Sequence, residues 1–170
     1  MSVGTTRIMG NAGPALDLTA FLAGNLTEMQ VPVILNSMGW TYGTGENQVN
    51  VVYADTVPLT DGQTIVMDLN ASGTYLDVFT GALTLEAVKL VYIKNNSADA
   101  TLEILGSGAA SIMICKVNTD VIVIQPGGTF MWIDPSASGL DCNPAVEFQL
   151  THPGTGDDGV NVDVIIMGLD

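Results

Sequence analysis

The chain has 170 residues, 18 acidic against four basic, and a net charge of −14. That length suits one domain whose core needs no metal or disulfide staple. Four scattered cations, Arg7, Lys89, Lys94 and Lys116, cannot neutralise a phosphate backbone or an anionic membrane surface, which argues against nucleic acid and membrane as partners.

An apolar content of 47% with 19 glycines placed between apolar runs describes short strands joined by tight turns, and is too high for disorder. Residues 1–30 stand apart. Met1 to Pro14 is polar and aperiodic, and then Leu16, Leu18, Phe21, Leu22 and Leu26 fall at near-helical spacing, broken by Gly24. The segment reads as an N-terminal arm or short helix, too short to stand alone, that packs on its own domain or on a neighbouring subunit.

Residues 31–170 read as the folded domain. VPVILN leads through the turn GTGEN to QVNVVYA, where Val49, Val51 and Tyr53 are expected on one face and Asn50 on the other. Asp61–Gly62 precedes QTIVMDL, in which Ile65, Met67 and Leu69 alternate with Thr64, Val66 and Asp68. After the loop NASGT come the strands YLDVFTG and LEAVKLVYIKN, then ATLEILG beyond the turn NNSAD and SIMICKV beyond SGAA. VIVIQ then meets Pro126-Gly127-Gly128, read as a hairpin, before TFMWID. In that last run Phe130 and Trp132 share one face and Met131 and Ile133 the other, so the strand is either central or covered by another subunit. After PSASGLDCNP and AVEFQL, the final strand sets Val160, Val162, Val164 and Ile166 against Ile165 and Met167.

About ten strands with no helices between them predict an all-β fold, a single antiparallel β-sandwich. A jelly-roll arrangement is the first expectation, although strand pattern does not separate it from an immunoglobulin-like topology.

Catalytic chemistry finds little support. His152 is the sole histidine, and in THPGT it reads as a surface-loop residue with no nucleophile or acid placed around it. One His and two distant cysteines, Cys115 and Cys142, lack zinc-ligand spacing, and both read as reduced thiols with Cys115 a core hydrophobe. Gly43-Thr44-Gly45 precedes a strand and Gly106-Ser107-Gly108 lacks the rest of a nucleotide fingerprint, so both are turns. Gly156-Asp157-Asp158-Gly159 lacks the remaining ligands of a calcium loop and reads as a hairpin turn. No catalytic, cofactor-binding or metal residue is expected. Candidate interface residues are Leu16, Leu18, Phe21, Leu22, Trp40 and Trp132, because aromatic and large aliphatic side chains are what interfaces select.

The order YGTGENQVNVVYADTVPLTDGQTIVMDL, LEAVKLVYIKNNSADATLEI, VIVIQPGGTFMWIDPSASGLDC and VNVDVIIMG resembles small virion structural proteins of tailed bacteriophages over roughly residues 40–168. The first 30 residues and the aromatic run TFMWID depart from that pattern. The resemblance implies a capsid decoration (cement) protein located in the virion. It would be a homo-oligomer, a trimer by expectation, bound to the major capsid protein or another virion protein. A capsid subunit, a tail or head-fibre component, and a carbohydrate-binding sandwich are the alternatives. The acidity fits either plain solubility or docking on a basic partner.

Overall fold

The computed structural model describes residues 40–69, 75–78, 81–106, 120–142, 147–154 and 159–170. The expected arm with Leu16, Leu18, Phe21 and Leu22, the runs VPVILN and SIMICKV with Cys115, and the Asp157-Asp158 turn lie outside the described residues.

Thirteen strands occur among the described residues: β1 Thr41–Tyr42, β2 Gln48–Val49, β3 Val51–Leu59, β4 Thr64–Asp68, β5 Leu76–Asp77, β6 Gly81–Ala82, β7 Ala87–Asn95, β8 Leu102–Gly106, β9 Val121–Ile124, β10 Thr129–Ile133, β11 Leu140–Asp141, β12 Glu147–Thr151 and β13 Val160–Leu169. Eight of them form two antiparallel sheets, ordered β10-β7-β13-β3 and β4-β12-β8-β9, with β11 beside β7. Only the step from β8 to β9 stays within one sheet; every other step along these eight strands changes sheet. That is the strand order of a jelly roll, so the fold is a single antiparallel β-sandwich of jelly-roll type.

Local alternation explains which faces meet. On β13, Val160, Val162, Val164 and Ile166 enter the core between the sheets, and Ile165 and Met167 enter a second apolar cluster on the outer side of their sheet. On β10, Phe130 and Trp132 pack against the first cluster, and Met131 and Ile133 against the second. Met67 and Leu69 are fully buried and Val66 is exposed, as the period of two requires.

Two phase shifts break this pattern. Val49 was expected on the face of Val51 and Tyr53, but it joins Val52 and Trp40 in the second cluster. Asn50 lies between β2 and β3, so the alternation restarts there. The other shift is at Lys89. Met167 pairs with Leu90 and Gly168 with Val88, which leaves Lys89 as an extra residue in β7. This β-bulge turns Val88 into the main core and Leu90 into the second one.

The connections at the sandwich ends are arches. Gly128 N–H donates to the Gln125 carbonyl at 2.8 Å, and Gly127 has φ of 70°. This is the Pro-Gly pattern of a type II turn, which splays its flanking strands. Pro126-Gly127-Gly128 is accordingly not a hairpin: β9 pairs with β8 in one sheet and β10 with β7 in the other.

Candidate interaction surfaces

Buried polar groups set the rigid parts of the surface. Asn95, at the end of β7, has no solvent exposure. Its Nδ2 donates to the carbonyls of Ala100 at 2.8 Å, Ile124 at 3.2 Å and Gln125 at 3.3 Å, while Oδ1 accepts from Ser97 N–H. One side chain thus ties the arch from β7 to β8 to the arch from β9 to β10.

At the opposite end of β7, the bulged Lys89 is also buried. Its Nζ donates to the carbonyls of Gly45 at 2.7 Å and Gln48 at 3.0 Å. Asn47 N–H donates to the Pro135 carbonyl and Asp134 N–H to the Lys89 carbonyl. Burial drives the Lys89 ammonium pKa down, and the neighbouring carboxylates of Asp134 and Glu46 pull it back up. Turn GTGEN and loop DPSASG, distant in sequence, are therefore clamped together by a lysine that is unavailable to an outside anion.

His152 is not the surface-loop residue expected. It is fully buried, its backbone N–H donates to the Gln63 carbonyl, and its Nδ1 accepts from Gly154 N–H at 3.1 Å. Its backbone N–H ties the arch between β12 and β13 to the arch between β3 and β4, and the imidazole, accepting from Gly154, closes its own turn. Polar loop spelling concealed this, because nothing local marks a histidine that folds under its own turn.

Cys142 is a buried, unpaired thiol whose Sγ lies 3.4 Å from the Leu140 carbonyl. Burial pushes its pKa from the ordinary 9.0 up to about 12. A raised thiol pKa stabilises the fold fully below about pH 9, and that share is lost as pH climbs toward 12. Iodoacetamide at pH 8 is expected to leave Cys142 unmodified in the native chain and to label it after unfolding in urea, read by peptide mapping. Rapid native labelling would show that this segment opens.

The aromatic candidates separate. Trp40 is 3% exposed inside the second cluster, where it offers no surface to a neighbour. Its Nε1 is, among the described residues, the one buried side-chain polar atom without a hydrogen-bond partner. Trp132 is half-buried on β10 and packs toward the first cluster, on the opposite face of the same sheet. Tyr42 alone is well exposed, at 55%. The three do not share an open groove of the kind that stacks sugars.

Two surfaces remain. Among the described residues strand β10 is the edge of its sheet; it carries no charge and is half-buried over Phe130, Met131, Trp132 and Ile133. The other edge, β3, carries Asp55 and Pro58, and Val52 is covered by hydrogen bonds with Asp77 and Val78. Charge, proline and cover are the usual guards of a strand edge, and among the described residues β10 has none of them.

The second surface is the outer face of the β4-β12-β8-β9 sheet. Register places Val66, Gln149, Leu105 and Val121 in one row across it, and Thr64, Thr151, Glu103 and Val123 in the next. Val66, Val121 and Val123 are 44%, 45% and 49% exposed.

A recess of about 790 Å³ at one end of the sandwich is lined in part by Glu86, Asp141, Cys142 and Asp170. Among the described residues no group of three or more His, Cys, Asp and Glu side chains could hold a metal ion. No helix among them is long and apolar enough to cross a membrane.

No protein-family model matches the chain, and no curated protein sequence matches it. Among solved structures, a Bacillus protein described as forming endospore appendages, a family of disulfide-linked pili, aligns over 76% of this chain and 96% of its own at 13% identity. The TM-score is 0.34, and no residue role is carried over from it.

Proposed function

We propose that this chain is a non-enzymatic structural subunit that works by binding other protein copies, in its specific form a decoration protein of a tailed-phage head. The observation that supports the assembly reading best is β10. A strand from another copy added there would continue both apolar clusters and pair the open backbone edge in one step. The phage setting rests on the sequence resemblance alone. A capsid subunit or a fibre component would use the same chemistry and differ in copy number per particle. Mass spectrometry of purified particles separates hundreds of copies from a handful.

Self-association is tested directly by sedimentation. At −14, copies repel one another, and raising salt from 0.1 M to 1 M shortens the screening length from about 10 Å to about 3 Å. Association through apolar strand contact is expected to hold or strengthen over that range, and Met131→Lys, which puts a charge on the edge, is expected to give a folded monomer. A wild-type chain that stays monomeric at every salt concentration would remove the oligomeric reading and favour a monomeric binding module.

A further inference from the structure

We infer that the outer face of the β4-β12-β8-β9 sheet is a docking surface for a protein partner that presents aliphatic side chains interspersed with Lys or Arg. This rests on the reading of the chain as an assembly subunit and names the partner's chemistry. Of the four large hydrophobic residues exposed among the described residues, three, Val66, Val121 and Val123, stand on this one face. Leu105 lies beside Val121 in the register, so the apolar positions form a patch and not scattered singles. With strands about 4.8 Å apart, Val66 and Val121 are about 14 Å apart across four strands, a span that a strand pair or a helix can cover.

Charge selects the occupant. Glu103 stands between Thr151 and Val123 in its row, and Glu147 and Asp68 face one another at the end of the sheet. None of β4, β8, β9 or β12 contains Lys or Arg. A second copy laid on this face through its own matching face would set acid against acid. The partner must bring the cations, and with them the aliphatic groups that cover the valines. The face lies on the sheet opposite β10, so a copy joined there leaves this sheet open to a different protein.

The test uses labelled strand-forming peptides and the whole chain. An alternating Leu/Lys peptide is the probe, with Ser/Lys and Leu/Glu peptides of equal length as comparisons. Fluorescence anisotropy is expected to show the Leu/Lys peptide binding at least tenfold more tightly than either. Amide NMR shifts should concentrate on Leu102–Gly106 and Val121–Ile124. The triple variant Val66→Thr, Val121→Thr, Val123→Thr keeps shape and strand preference and is expected to weaken binding about tenfold. Glu103→Gln, a milder change, should flatten the salt dependence.

Equal binding of the Ser/Lys peptide, shifts spread over all acidic loops, or an unaffected triple variant would overturn the inference. So would loss of self-association in the triple variant, which would make the face a self-contact. The two readings fail separately: a chain that oligomerises through β10 yet ignores the Leu/Lys peptide sinks only this one. A monomer that binds the peptide at this face sinks only the oligomer.

Discussion

Replacing Asn95 by Asp is expected to lower the melting temperature by about 12 °C, more than replacing it by Ala. In the native chain Nδ2 serves the carbonyls of Ala100, Ile124 and Gln125. Alanine leaves the buried Ala100 and Ile124 carbonyls without this donor and removes the acceptor for Ser97 N–H, a loss of about 3 kcal/mol. Aspartate keeps the acceptor but sets a carboxylate against three carbonyl oxygens, raising the loss to roughly 4 kcal/mol. For a chain of this size each kcal/mol moves the midpoint by about 3 °C. Calorimetry of the three proteins at pH 7 reads the order. If aspartate melts with the wild type, or above alanine, Asn95 is not the tie between the two arches.

Gly168→Ala is expected to be still more damaging, with a melting point more than 15 °C lower or a failure to accumulate folded protein. A Cβ at this position would stand 2.0 Å from the Ala87 carbonyl oxygen and 2.5 Å from Leu85 Cδ2. The first of these is backbone of the paired strand, so relief requires β7 and β13 to separate. The crowding arises because the Lys89 bulge shifts the pairing between Met167 and Gly168. Gly62→Ala supplies the comparison. Gly62 has φ of 68° and nothing within 4 Å of an added Cβ, so it should cost only the left-handed backbone strain of about 1–2 kcal/mol. Equal melting points for the two alanine variants would mean that the strands part easily at the bulge.

Both expectations concern groups whose partners lie far along the chain, and that marks the boundary of what sequence determined here. Alternation is a property of neighbouring residues. The faces of β13, β10 and β4 therefore followed from spelling alone, and with them the all-β class and the sandwich. Gly62 and Pro126-Gly127 marked turns for the same reason, since their backbone preferences are intrinsic.

What only the tertiary structure decided depends on which strands pair. The jelly-roll order, and the conversion of the Pro126-Gly127-Gly128 turn from hairpin to arch, reflect the sheet that captures each strand. The Lys89 bulge moved the phase of β7 because register is set across strands. His152 passed from expected surface loop to buried position because its backbone N–H pairs with the Gln63 carbonyl of a different arch. Trp40 and Trp132 looked equivalent as apolar bulk, yet pairing put them on opposite faces of one sheet. Val66, Val121 and Val123 belong to separate runs, and only hydrogen-bonding between β4, β12, β8 and β9 gathers them into one exposed face.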